Sequence, residues 1–296
     1  MSKTHGKFVW YDVMTSNPKT AESFYRSVIG WDAKDSGMTD RSYTILSMGP
    51  TMVGGLMPIP EDAARAGVRP AWMGYVAVDD VDIYAKRVKA AGGAVHRGPE
   101  DIPGVGRFAV AGDPHGAGFI LFKGMGDQAP MPAPAGTPGH IGWRELHAGE
   151  REGAFAFYSG LFGWTKGEAV DMGPMGVYQT FAIHGTQSGG MMTKTPQTPA
   201  PFWLYYFNVE AVDRAAARAK DGGRLTLPVL FLHGEYDYTC ETVDSRLAEP
   251  MRRDCGNLTE VVVPSGHWMA QEKPRIVNAA LAKWMATQLP EAWPVP

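Results

Sequence analysis

The sequence predicts an α+β protein in three parts: a complete domain over 1–123, a shortened second copy of it over 139–223, and a small strand-and-helix tail over 224–296. Three observations carry this. A segment near the start recurs at a constant offset of 133 residues. Within each copy the apolar period switches between two and 3.6 residues, as strands alternate with helices. After "GG" at 222–223 the second copy stops matching the first.

The repeat begins with "GKFVWYDVMTSNPKTAESFYRSVIGW" (6–31), which aligns without gaps on "GHIGWRELHAGEREGAFAFYSGLFGW" (139–164). It pairs Gly6 with Gly139, Trp10 with Trp143, Asp12 with Glu145, Phe24-Tyr25 with Phe157-Tyr158 and Gly30-Trp31 with Gly163-Trp164. Further on, "MVGGLM" (52–57) answers "SGGMMT" (188–193), and "PAWMGYVAVDDVD" (70–82) answers "APFWLYYFNVEAVD" (200–213). Each copy opens on an aromatic strand and continues into a helix. Asn17 is placed to cap the first helix, Pro18 occupies its first turn, and Gly30 ends it. Ala21, Phe24, Tyr25 and Val28 form one apolar stripe, repeated by Ala154, Phe157, Tyr158 and Leu161. Strands are expected at 43–49, 51–58 and 73–80, a helix over 81–91 ending at Gly92-Gly93, and strands at 106–114 and 118–123. The pattern is β-α-β-β, twice. Residues 124–138, rich in Pro, Ala and Gly and without periodicity, read as a linker.

Composition narrows the function classes. Hydrophobic residues at 44% and charged residues at 20% are a normal globular balance. A net charge of −3 gives no electrostatic reason to expect nucleic acid or an anionic membrane as partner. No apolar run reaches membrane-spanning length, and "MSKTHGKFVWYD" lacks the apolar core of a secretory signal. Cys240 and Cys255 are too few for a disulfide framework. The expectation is a soluble cytoplasmic protein.

The "FY…GW" helix end, the "GG" and the late "DPHGAGFILF" resemble the vicinal oxygen chelate superfamily, which includes glyoxalases, bleomycin-resistance proteins and extradiol dioxygenases; the resemblance covers 6–223. It implies paired βαβββ modules closing a strongly curved sheet around a cavity. It also implies a divalent metal held by His, Glu or Gln on four strands. Carried onto this sequence, the first ligand position falls on Trp10 and again on Trp143, the last on Ile120, and the middle two near "GGLM" (54–57) and "WMGY" (72–75). Indole has no lone pair for a metal, and Met is too soft for oxygen-ligand sites. No metal and no cofactor are therefore expected. His96, His115, His140 and His147 are expected to be solvated surface residues. The remaining reading is a pocket lined by Trp10, Tyr43, Met57 and Trp72, suited to a flat apolar or aromatic small molecule. The alternative is that these side chains simply fill the core.

The tail departs from the repeat between Gly223 and Pro228. "PVLFLHGEYDYTC" (228–240), "TEVVVPSGHWMAQEKP" (259–274) and the helix of 274–290 resemble the C-terminal end of α/β-hydrolases, most closely the epoxide hydrolase branch. The resemblance makes Asp237 the orienting acid and His267 the general base. The strand-to-helix turn that would carry a nucleophile is absent from the sequence. The apolar "PVLFL" suits a buried parallel strand. Because the second copy lacks its last three strands, the tail strands are expected to pair with the open edge at 202–210, or a homodimer to cover it. The leading functional reading is a metal-free small-molecule-binding protein with an incomplete hydrolase-like tail. The second is an epoxide- or ester-hydrolase using Asp237 and His267, and the third a recombination product whose second half has no evolved activity.

Overall fold

The computed structural model describes residues 2–39, 41–125, 133–134, 136–222, 229–238, 242–244, 246–255 and 258–288. The expected seam at 223–228 and Cys240 lie outside them, as does most of the expected linker. Two compact units are present, Met1–Ala211 and Val212–Pro296.

Unit 1 starts with β1 (Phe8–Thr15), α1 (Pro18–Ile29), β2 (Asp32–Asp35), β3 (Thr44–Met48), β4 (Thr51–Pro58) and the short α2 (Glu61–Arg65). There follow β5 (Ala71–Ala77), α3 (Val81–Ala90), β6 (Ala94–Ile102), β7 (Gly106–Gly112) and β8 (Gly118–Gly124). The strands form one sheet in the order β2-β3-β4-β1-β5-β8-β7-β6. This is two βαβββ modules joined by the antiparallel pair β1–β5, while β1–β4 and β5–β8 run parallel. The second copy supplies β9 (Ile141–Ala148), α4 (Arg151–Phe162), β10 (Thr165–Asp171), β11 (Val177–Ile183), β12 (Thr186–Thr193) and β13 (Phe202–Phe207). Their order, β10-β11-β12-β9-β13, is a third module plus the opening strand of a fourth.

Local chemistry fixes the helix ends. The Asn17 side chain accepts from the Thr20 N–H, and Gly30 takes the left-handed conformation, its N–H bonded to the Arg26 carbonyl. In α4 the Glu150 carboxylate caps the N–H groups of Glu152 and Gly153. The stripes differ in depth: Ala154, Phe157, Tyr158 and Leu161 are buried, whereas α1 has no fully buried residue. Helix α4 packs on the complete sheet, with Phe157, Tyr158 and Phe162 edge-on to Phe119 of β8. Helix α1 meets the shorter sheet, where Tyr25 touches Phe207.

The two copies clasp each other at equivalent points. Trp164 Nε1 donates to the Gly6 carbonyl at 2.8 Å, and Trp31 Nε1 to the Gly139 carbonyl at 2.7 Å. The matched positions Tyr11 and Arg144 also meet, Arg144 Nε donating to the Tyr11 hydroxyl at 2.7 Å. Gly6 and Gly139 have φ of 77° and 76°, and a Cβ on Gly6 would press on the Phe162 carbonyl, so glycine is required there. A single hydrophobic core draws side chains from both copies, including Phe8, Val76, Phe119, Tyr158, Phe162, Trp164, Phe181 and Trp203.

Three strands were not foreseen from periodicity. Strand β2 is "DAKD", β6 contains Pro99 and several charges, and every residue of β10 is exposed. All three lie at sheet edges, where there is no buried face to impose alternation and proline is tolerated. Each module therefore reads β-α-β-β-β, as the family resemblance implies and one strand more than periodicity alone supplies.

Unit 2 contains α5 (Val212–Gly222), β14 (Val229–Gly234), α6 (Glu249–Asp254), β15 (Leu258–Val263), α7 (Met269–Glu272) and α8 (Pro274–Gln288). Strands β14 and β15 pair in parallel, Val229 opposite Leu258 through Gly234 opposite Val263, and form a two-stranded sheet of their own. The expected pairing with 202–210 is not made: among the described residues β13 bonds to β9 alone. The expected deep burial of "VLFL" is also corrected. Residues 229–232 are half-buried, because a two-stranded sheet with α8 against it lacks flanking strands to enclose them.

Candidate functional site

Strand alternation sorts β1 into two faces. Tyr11 and Val13 enter the cores, while Trp10 and Asp12 point to the opposite face of the sheet. Asp12 is 3% exposed and sits in a ring of donors. Its Oδ1 accepts from Trp10 Nε1 at 3.0 Å and the Tyr43 hydroxyl at 2.6 Å, and its Oδ2 from the Tyr75 hydroxyl at 2.5 Å. Trp10 Nε1 also reaches the Tyr43 oxygen at 2.8 Å. Gly55 stands opposite Asp12 in β4, and a Cβ there would overlap both the Tyr43 hydroxyl and the carboxylate. Burial holds the Asp12 carboxyl above the usual carboxylate range, against the opposing pull of its three hydrogen bonds. Burial and the neighbouring Asp12 likewise raise Tyr43 and Tyr75, so both phenols stay protonated and donating.

The second copy repeats the arrangement position by position. Trp143 Nε1 donates to the Tyr178 hydroxyl at 2.6 Å, and that hydroxyl donates to Glu145 Oε2 at 3.0 Å. Burial and the nearby Glu145 hold the Tyr206 phenol above its usual range. Gly190 lies opposite Glu145, and a Cβ there would overlap the Tyr178 ring. The alternation that brings Trp10 to Asp12 thus brings Trp143 to Glu145.

The sequence-derived pocket divides. Trp10 and Tyr43 share the Asp12 cluster, and alternation along β4 puts Met57 on the same side as Gly55. Trp72 points the other way, its Nε1 donating to the Tyr25 hydroxyl at 2.7 Å within a group that includes Trp31 and Phe207. Tyr75 and Asp12 were missed as site residues. The signal available was the i, i+2 spacing from Trp10 to Asp12 and the carboxylate at the matched position 145. The histidine expectation is corrected for His147: it lies inside β9, stacked on Phe202 at 4.6 Å, with Nε2 2.9 Å from Glu145 Oε1.

In unit 2, Asp237 follows β14 and His267 follows β15. His267 Nδ1 lies 2.9 Å from Asp237 Oδ2, with Asp237 buried and His267 half exposed. The two loops are stitched together by the N–H groups of Glu235 and Tyr236, bonded to the carbonyls of Val263 and Ser265. Gly234 permits this approach: a Cβ there would lie 2.7 Å from the Gly266 carbonyl.

Known proteins share the architecture of unit 1. The profile of the Glyoxalase/Bleomycin resistance protein/Dioxygenase superfamily matches residues 7–121. CFP32 of Mycobacterium tuberculosis (strain CDC 1551 / Oshkosh) is 30% identical over 218 residues, covering 72% of this chain and 81% of that protein. The anthracycline biosynthesis protein DauV of Streptomyces sp. (strain C5) is 30% identical over 234 residues, covering 74% and 82%. The chain belongs to the glyoxalase/bleomycin resistance protein/dioxygenase superfamily. Among solved structures, the Mn(II)-bound glyoxalase from Novosphingobium aromaticivorans superposes with a TM-score of 0.52 at 16% identity, covering 75% of each chain, which shows a common fold.

The superfamily implies a metal on the concave face, so the donors there decide whether one fits. Tyr75 is registered with Ile120 on β8, and Asp12 with Gly55 on β4. Trp10, Gly55, Met57, Tyr75 and Ile120 offer a metal one phenol and a thioether, and the Asp12 carboxylate is taken up by three protein donors. No group of three or more His, Cys, Asp or Glu side chains suited to a metal exists among the described residues. The donor set does not fit the superfamily's divalent ion. Among the described residues no helix is long and apolar enough to cross a membrane.

Proposed function

We propose that the first domain is a small-molecule-binding domain that receives a planar, largely apolar ligand without a metal. The observation that carries this is the Asp12 cluster, which fills with an aromatic hydrogen-bonded network the place where the superfamily holds its ion. Trp10, Tyr43, Met57 and Met73 are half-buried, so the concave face offers aromatic and thioether surface to a guest. A relative named for anthracycline biosynthesis makes a polycyclic aromatic the first ligand class to try. Calorimetric titration with an anthracycline should give saturable binding that is unchanged by added Mn(II) and weakened about tenfold or more by Trp10→Ala. Stoichiometric Mn, Ni, Zn or Fe retained through purification would overturn this reading.

A second reading belongs to unit 2. We infer an acid–base pair of the hydrolase type, with Asp237 holding the His267 imidazole so that its far nitrogen faces outward as a base. The 2.9 Å contact between a buried carboxylate and a half-exposed histidine supports it. With no nucleophile turn in the chain, the base acts on water directly, so slow turnover of a chromogenic ester above background, falling in His267→Ala, is the expected result. Equal rates for the two proteins would end the reading.

A further inference from the structure

The two copies bear the same cluster in different settings. In the first, the complete sheet continues past β5 into β8, β7 and β6, and Tyr75, Ile120, Phe108 and Phe122 close over one another. Tyr75 is 8% exposed. In the second, no described strand stands beyond β13, and Tyr206, the counterpart of Tyr75, is 45% exposed. Phe202 and Leu204, on the same side of β13, are also exposed. The carboxylate at the centre is therefore sealed in one copy and reachable in the other.

The chemistry of the open copy selects its guest. A carboxylate only accepts, so Tyr178 and the Nε2–H of His147 occupy about two of the four acceptor sites of Glu145. About two remain for donors. Among the described residues His147 is the only basic side chain in ion-pair reach of Glu145, and no lysine or arginine offsets its charge. Arg144, the nearest guanidinium in sequence, faces the opposite side of β9 and bonds to Tyr11. Aromatic side chains border the carboxylate: Trp143, Tyr178, Tyr206 and the stacked pair of His147 and Phe202. A negative charge walled by aromatic rings attracts a positive charge on an apolar body, through the charge pair and the ring quadrupoles together.

We propose that the concave face of the second copy binds an organic cation, an ammonium group carried on an apolar body. The ammonium meets Glu145, and the body lies along Tyr206, Phe202 and Leu204. This site is separate from the one proposed for the first copy, and either can exist without the other.

Isothermal titration of the full chain with benzylamine, protonated at neutral pH, tests it, with benzyl alcohol as the uncharged control. Saturable binding of the cation, at least tenfold tighter than the alcohol, is the expected result. Glu145→Gln keeps the side-chain shape and should weaken the cation about tenfold. Tyr206→Leu, at a half-exposed position that tolerates change, should weaken it severalfold. Asp12→Asn should leave it unaltered, because that residue lies in the other copy. Equal affinity for cation and alcohol overturns the proposal, as does an unaltered affinity in Glu145→Gln. Loss of binding in Asp12→Asn with retention in Glu145→Gln would place the cation in the first copy and also overturn it. If Glu145→Gln does not fold, an unchanged affinity in Tyr206→Leu is decisive against it.

Discussion

Trp164→Ala is expected to destabilise unit 1 by about 3–5 kcal/mol, the range for deleting a large aromatic from a packed core. The indole is 2% exposed and lies flat against Phe181 at 4.5 Å and against Tyr158 at 5.2 Å. No small side chain can recover those stacked faces. Its Nε1 also holds the Gly6 carbonyl, so the same change releases the N-terminal segment. Trp164→Phe keeps one stacked ring and loses the hydrogen bond together with the second ring's packing, so it should cost less than the alanine variant. Urea unfolding followed by circular dichroism measures both. Equal losses for the two variants would show that the hydrogen bond and the second ring, not the retained stack, dominate.

Asp12→Ala is expected to cost about 3–5 kcal/mol for a different reason. The hydroxyls of Tyr43 and Tyr75 lose their acceptor while Trp10 Nε1 keeps the Tyr43 oxygen, and a stranded buried polar group costs about 1–3 kcal/mol. Asp12→Asn keeps one oxygen and should cost less. The pair also predicts a pH dependence. Burial raises the folded-state pKa of Asp12 above its unfolded value, so at intermediate pH the native state holds more protons than the unfolded chain. The stability this contributes is fully present below about pH 4, the unfolded value, and is lost as pH rises through the folded one. Asp12→Asn cannot titrate and should lack that component. Unfolding midpoints measured across this range for both proteins would reveal it. A difference between them that stays constant with pH would show that Asp12 keeps its unfolded-state pKa.

The internal repeat was the most legible feature, because caps, glycines and aromatic positions recur in register and local chemistry is enough to place them. Asn17, Gly30 and the α4 stripe follow from that alone. Edge strands were not legible: β2, β6 and β10 have no buried face, so their sequences carry no alternation to detect. Trp72 shows a second limit. An aromatic residue on a strand announces that it will be enclosed, but its side depends on register with β1, and Trp72 falls opposite Val13, facing the core. Asp12 shows a third. A lone carboxylate among aromatics reads as solvated until the chain brings Tyr43 and Tyr75, distant in sequence, onto it. In unit 2 the positions of Asp237 and His267 followed from strand ends, whereas the isolation of β14 and β15 as a two-stranded sheet depended on pairings that no local pattern specifies.

The clasp of Trp31 and Trp164 separates heredity from cooperativity. The segment that recurs corresponds to one copy, yet the largest core is not enclosed by either copy alone. Phe157, Tyr158 and Phe162 from the second seal the sheet of the first, and residues from both fill one shared core. A substitution on either side of this seam is therefore felt by both copies, because the core residues it disturbs belong to both.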